Sequence, residues 1–286
     1  MTEFLAEQIE SAGATLAFPG LVTLALVAAF MTVLWLVSLA VRDASIVDPF
    51  WGLTFVLIAW AAYAATYLLQ GPACLPEQCE SAWPPPVALV VPVLVTVWGL
   101  RLSIYLAWRN LGKGEDYRYV RMRERFGASF PIVSLVVVFL LQAALAWLVS
   151  LPVQVNRAID IELTSPLFLA GIGLWALGLA FETVGDLQLA AFRRDLANRG
   201  RVLDTGLWRY TRHPNYFGDA CVWWGFFFIA ASVGQWWTIV GPIVMTVLLV
   251  RVSGAGLLES TIVERRPGYA EYIRQTSGFL PLPPRR

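Results

Sequence analysis

Seven stretches of this chain are apolar for nearly the length that a helix needs to cross a bilayer. They run from Pro19 to Val41, Phe50 to Leu69, Pro86 to Trp108, Phe130 to Pro152, Pro166 to Ala190, Tyr216 to Ser232 and Trp236 to Leu258. The hydrocarbon core takes about 20 apolar residues of helix, and backbone polar groups at that depth must pair with one another. The chain is therefore expected to be an all-α integral membrane protein, a single membrane domain over residues 1–286 with seven transmembrane helices. Composition agrees: 58% of residues are hydrophobic and 14% charged, where soluble domains lie near 45–50% and about 25%. No segments of about 10 alternating residues suggest a barrel, and no internal repeat is visible.

The loops orient the chain. Arg109 to Arg125, Arg193 to Arg212 and Arg265 to Arg286 are rich in arginine. Seven spans put these on one side. The acidic start (Glu3, Glu7, Glu10) and the loops from Gln70 to Trp83 and Gln154 to Glu162 then share the other. Basic loops stay in the cytoplasm, so the N-terminus is expected outside and the C-terminus inside. The acidic start does not resemble the basic n-region of a signal peptide. Cys74 and Cys79 fall in an outward loop, where an oxidising compartment permits a disulfide; pairing and two free thiols both stay open. A net charge of +1 argues against nucleic-acid binding. One histidine and no close cysteine pair on the cytoplasmic side give no metal site.

The stretch RVLDTGLWRYTRHPNYFGD, Arg201 to Asp219, carries the densest chemistry and the only histidine, His213. Arg201, Arg209 and Arg212 bring positive charge; Tyr210, Asn215 and Tyr216 bring directional hydrogen bonds. A polar, arginine-rich connection entering an apolar helix suits an anionic ligand at the membrane surface, and His213 before a helix N-terminus adds to this. The preceding segment ends in FETVGDLQLAAFRRD, where Glu182, Asp186 and Arg193 share one helical face. They read either as helix-stabilising ion pairs or as carboxylates for ribose and amide groups with Arg193 on phosphate. Their place at the end of an apolar helix favours the second reading. Asn215, Asp219 and Trp223 form a further stripe of period four. Arg251 and Glu259 lie two turns apart in the last segment, ahead of Tyr269 and Tyr272.

Upstream, Asp48 sits beside Pro49 at the start of the second segment. It reads as an N-cap or as an acid facing a cavity within the membrane. Trp98, Arg101 and Tyr105 share a face of the third segment, and Asp48 is a candidate partner for Arg101. Asp116, Arg118 and Tyr119 lie in a polar stretch of mixed charge that reads as a solvated surface helix or, at these three residues, as contacts on the cofactor side. Gln142, in the fourth segment, suits an interhelical hydrogen bond.

The order Glu182, Asp186, Arg193, Arg201, RHPNYFGD, Trp223, Arg251, Glu259, Tyr269, Tyr272 resembles the C-terminal domain of the steroid 5α-reductase superfamily, and most closely its bacterial branch of unknown function. The resemblance covers about the last third of the chain. It implies a seven-helix fold that binds NADPH between the later helices. Residues 153–286 (helices five to seven and the cytoplasmic loops) would then be the cofactor half, and residues 1–152 (helices one to four) the substrate half. By motif position, Glu182, Asp186, Arg193, Arg201, Asn215, Asp219, Trp223 and Arg251 match cofactor-contacting positions, to which Tyr210, His213, Tyr216 and Glu259 are added. The steroid enzymes have an amide where Glu182 stands. They hold the steroid ketone with a glutamate, matched here by the shorter Asp48, and a tyrosine, matched by Trp98, where the phenol is absent. Tyr105 and Arg101 complete the catalytic candidates.

The expected activity is hydride transfer from NADPH to a carbonyl-conjugated C=C bond of a lipophilic, steroid-, sterol- or fatty-acyl-like substrate entering from the bilayer. The developing enolate would be stabilised by an acid or phenol in a dry cavity. No dinucleotide glycine fingerprint is present, so a helical cage would hold the cofactor. Two alternatives stand beside it. RHPNY with a late glutamate also resembles S-adenosylmethionine-dependent methyltransferases of the isoprenylcysteine and phospholipid type. A non-catalytic lipid-binding membrane protein would use the polar stripes only for packing. The expected setting is a monomer among membrane lipids in a bacterial inner membrane, with its site open to the cytoplasm.

Overall fold

The computed structural model describes residues 1–69, 86–110, 112–155, 162–252 and 268–285. The described residues are helical apart from turns, loops and one isolated bridge between Thr211 and Ser277. Five helical stretches among them are long and apolar enough to cross a membrane: Phe18–Val41, Ala44–Tyr67, Pro86–Asn110, Tyr117–Val149 and Pro166–Arg194. These fit an integral membrane protein. The expected sixth and seventh spans correspond to an 18-residue helix, Pro214–Ala231, and to a shorter apolar stretch, Trp236–Arg251. Glu259, Cys74 and Cys79 lie outside the described residues.

By internal packing the chain divides into two compact units. Unit 1 is Met1–Ile161 with Val233–Thr238. It begins with α1 (Thr2–Leu16), a helix of mixed acidic and apolar residues. The Gln8 side chain donates to the Gly234 carbonyl at 2.8 Å and accepts from the Trp237 N–H at 3.3 Å, and Ser11 donates to Gln235. Helix α2 (Phe18–Val41) has Pro19 in its first turn and ends at Arg42 in the left-handed region. A 3-10 turn capped by Asp43 leads into α3 (Val47–Tyr63), then α4 (Val90–Asn110) and the polar α5 (Tyr117–Phe126). Short helices α6 (Phe130–Ser134), α7 (Leu141–Val149) and α8 (Leu151–Gln154) complete it, with a π-helical turn at Leu135–Leu140. Helices α3 and α4 meet backbone to backbone: a Cβ on Gly99 would lie 2.7 Å from the Gly52 carbonyl oxygen.

Gln154 performs the interhelical bonding that the sequence suggests for Gln142. Its Oε1 accepts from the Thr23 hydroxyl at 2.7 Å, and its Nε2 donates to the Trp147 carbonyl and the Ser150 hydroxyl, both at 2.9 Å. The Trp147 indole N–H donates to Thr23 Oγ1 at 3.1 Å. Thr23, Ser150 and Gln154 are buried, so every polar atom here needs a partner. Thr23→Val removes the shared hydroxyl and is expected to cost about 1–2 kcal/mol. It should be seen as a melting temperature several degrees lower in detergent; an unchanged value would show that the network contributes nothing.

Unit 2 is Glu162–Ser232 with Ile239–Arg286. It is built on α9 (Pro166–Arg194) and α10 (Pro214–Ala231), each opened by a proline in its first turn where the missing N–H costs nothing. Helix α9 ends in Arg193 and Arg194, charges that suit a helix C-terminus. Helices α11 (Val240–Val247) and α12 (Tyr269–Gln275) follow. Glycines every seven residues line the α9–α10 seam: Gly171, Gly178 and Gly185 on α9, Gly218 and Gly225 on α10. A Cβ on Gly178 would lie 2.5 Å from the Gly218 carbonyl oxygen, and one on Gly225 would lie 2.8 Å from that of Gly171. The two helices therefore run antiparallel, with their backbones in contact.

Candidate functional site

The seam brings together the polar residues that follow its glycines in helical register. Glu182 and Asp186 on α9 and Asp219 on α10 are buried. Asn215 donates from Nδ2 to Asp186 Oδ1 at 3.2 Å. Gly218 passes so close to Glu182 that a Cβ there would meet the Glu182 backbone N at 2.6 Å. Carboxylates at this depth are costly unless they are compensated. Trp223 is fully buried one turn beyond Asp219.

His213 is the N-cap residue of α10. It is buried, and its ring stacks on Tyr216 with centroids 5.2 Å apart and planes 5° apart. The loop before it is tied to α9 through Gln188, whose Oε1 accepts from the Leu207 N–H at 3.0 Å, and through the Trp208 indole, which donates to the Gly185 carbonyl at 3.1 Å. Neither residue stands out in the sequence, since neither belongs to a charged pattern. Tyr210 is exposed, as are Arg193, Arg201 and Arg251.

The charge of Arg212 goes to protein carbonyls. Its Nη1 donates to the carbonyls of Ile273 at 3.0 Å and Thr276 at 2.6 Å, at the end of α12, and its backbone N–H donates to Ser277 at 2.9 Å. Thr211 donates to the Phe279 carbonyl at 2.8 Å, and the Leu282 N–H donates to Tyr210 at 3.0 Å. The segment after α12 is thus laced to the loop that precedes α10. Arg212→Ala is expected to loosen residues 276–285, read as faster cleavage there in limited proteolysis. Equal rates in variant and wild type would count against the lacing.

In unit 1, Asp48 lies in the first turn of α3 without capping it; the capping aspartate is Asp43, at the 3-10 turn Ala44–Ile46 upstream, where it accepts from the Ser45 N–H at 2.8 Å. The cation on Asp48 is Arg118 rather than Arg101. Arg118 Nη2 donates to Oδ2 at 2.8 Å, and the buried Tyr119 hydroxyl donates to Oδ1 at 2.9 Å. Arg118 Nε also reaches Asp116 at 2.9 Å. Burial raises the pKa of Asp116, but hydrogen bonds from the Arg118 side chain and backbone outweigh it and hold the carboxyl below the usual range. Glu115 makes a parallel clasp, accepting from the Ala44 N–H and from Arg123, each at 2.8 Å. Helix α5 is thereby fastened to the start of α3. Trp98 is fully buried against Phe55, at 5.5 Å between ring centroids. Arg101 stacks on Tyr105 at 5.6 Å, and Arg109 lies 6.0 Å from the same ring.

A dinucleotide presents hydroxyl and amide donors along with phosphates. The carboxylates of the α9–α10 seam match the first and the arginine-rich segment after α9 the second, so the residues of unit 2 fit such a group in kind.

A family described as "Protein of unknown function (DUF1295)" matches residues 34–276. An uncharacterised protein of Schizosaccharomyces pombe is 25% identical over 282 residues, covering 87% of this chain and 76% of that protein. The 3-oxo-5-alpha-steroid 4-dehydrogenase 1 of Bos taurus is 30% identical over 77 residues, which is 27% of this chain and 30% of that protein. No solved structure matches the chain.

Proposed function

We propose that this chain, which belongs to the DUF1295 family, is a membrane reductase that uses NADPH to reduce a carbonyl-conjugated C=C bond of a lipophilic substrate. The observation that carries this reading is the α9–α10 seam, where Glu182, Asp186 and Asp219 are buried together beside Asn215. The partial similarity to a steroid dehydrogenase supports the same reaction class. When bound, NADPH supplies the hydride. Asp186 and Glu182 would accept hydrogen bonds from its hydroxyl and amide groups, while Arg193, Arg201 and Arg251 would face its phosphates. Tyr210, His213, Tyr216 and Glu259 belong to the same proposed surround.

In unit 1 both oxygens of Asp48 are engaged, by a cation and by a phenol. We assign Asp48 to orienting the Tyr119 hydroxyl, which donates a hydrogen bond to the substrate carbonyl oxygen as negative charge develops there, the proton that completes the product coming from water. Arg118 keeps the carboxylate compensated when the phenol turns away from it. The buried Trp98 serves as an apolar wall, and Arg101 and Tyr105 stay candidates for contact with the substrate head. The 18 residues of α10 rise about 27 Å, close to the bilayer core. With α10 and the Trp236–Arg251 stretch the proposed spans number seven, arginine-rich segments facing the cytoplasm.

The test is equilibrium binding to the purified, detergent-solubilised chain. NADPH is expected to bind and to raise the melting temperature, while S-adenosylmethionine does neither. Binding of S-adenosylmethionine alone would make the protein a methyltransferase. Binding of neither would favour a lipid-binding role for the polar seam.

A further inference from the structure

An open-sided cleft of about 300 Å³ lies at the end of α9, lined by Phe192, Arg193, Asp195, Leu196, Asn198, Arg199 and Gly200. Its wall joins two kinds of surface. Arg193 and Arg199 bring guanidinium groups, and Phe192 and Leu196 bring apolar ones. Leu196 is 83% exposed, although apolar side chains at a protein surface gain by being covered. Asp195 also lines the cleft, but its carboxylate is turned into its own chain, accepting from the Ala197 N–H at 2.9 Å and from Asn198 at 3.4 Å. Gly200, whose φ of +83° suits glycine, completes the lining. Between residues 193 and 201 four arginines stand against one aspartate.

An apolar ledge beside two guanidinium groups matches a phosphomonoester borne next to a flat ring. We propose that this cleft takes the adenosine 2′-phosphate end of NADPH, and that Arg199 is the residue that distinguishes NADPH from NADH. The inference rests on the nucleotide reading above and adds its specificity. Arg199 is not among the arginines that the family resemblance marks. A fork of N–H donors suits phosphate oxygens, and Leu196 with Phe192 covers one face of the adenine. The phosphate of an anionic lipid headgroup offers the same charge chemistry, so the test must separate the two sources.

The experiment uses the full chain in detergent and in nanodiscs with or without phosphatidylglycerol. Dissociation constants are measured for NADPH, NADH and adenosine 2′,5′-bisphosphate, with wild type and Arg199→Ala. Wild type is expected to bind NADPH about tenfold or more tighter than NADH, a ratio of the size that one charge-assisted contact provides. Arg199→Ala should bring the two within about threefold by weakening NADPH and the bisphosphate alone. Arg199→Lys should keep part of the preference. The side chain is exposed, so the variants keep the fold. Equal weakening of NADPH and NADH, or an unchanged ratio, overturns the assignment of Arg199 while leaving the reductase reading intact. Loss of phosphatidylglycerol-dependent stabilisation in Arg199→Ala, with no change in the nucleotide ratio, makes the cleft a headgroup site and also overturns it. Wild type binding neither nucleotide removes the reading and this inference together.

Discussion

Gly178→Val is expected to abolish accumulation of folded protein, or to lower its melting temperature by more than any surface change. The added Cβ would meet the Gly218 carbonyl oxygen at 2.5 Å and the Val222 backbone N at 2.7 Å. Both are backbone atoms, which no rotamer change can move aside, so the helices themselves must part. Overpacking of this kind costs about 1–3 kcal/mol or more, and two γ-methyls add to it. Separation would also draw Glu182 and Asp186 away from α10. Gly173 supplies the control on the same helix, because a Cβ there meets nothing within 4 Å. Gly173→Ala should be neutral or should stabilise by about 0.5–1 kcal/mol, since alanine loses less backbone freedom in a helix. If both variants behave alike in thermal unfolding, the close approach of α9 and α10 is wrong.

Asp186→Asn is expected to weaken NADPH binding about 10- to 100-fold, the equivalent of one hydrogen bond to a charged group. The apo protein should keep its melting temperature, because the amide retains the size of the side chain and its bond to Asn215. The two measurements separate the two meanings of a buried carboxylate. A group kept for a ligand loses affinity without losing stability. A group kept for an internal ion pair does the reverse, so a lower apo melting temperature with unchanged affinity would assign Asp186 to packing.

The sequence made the long apolar helices legible because length and apolarity in lipid depend on little else. The span expected from Pro19 to Val41 is the helix Phe18–Val41, and that expected from Pro166 extends to Arg194. Helix α1 was not legible, since its 15 residues mix acids with apolar side chains and its anchor, Gly234–Trp237, lies more than 200 residues away. The partner of Asp48 was hidden for the same reason: Arg118 is 70 residues off, and Arg101 satisfied every local criterion equally well. Gln142 lies within the apolar segment that ends at Pro152, whereas Gln154 reads as the start of a loop, and only the position of Thr23 shows that Gln154 is the one that bonds between helices. The clustering of Glu182 and Asp186 with Asn215 followed more directly, because a helical register carries carboxylates and glycines alike onto one face.

The seven-residue glycine spacing also bears on how the protein is made. In lipid, apolar side chains gain little by meeting one another, so helices associate through close backbone packing. The α9–α10 contact is of that kind and lies within residues 166–231, including the connection between the helices. The pair can therefore close as a hairpin once both helices have left the translocon, while α11 and α12 are still within or near the ribosome. Nascent chains halted at a length that puts α10 beyond the translocon while α11 is still behind it should already show 171-to-225 crosslinking, and the carboxylate cluster would then exist before the chain is released.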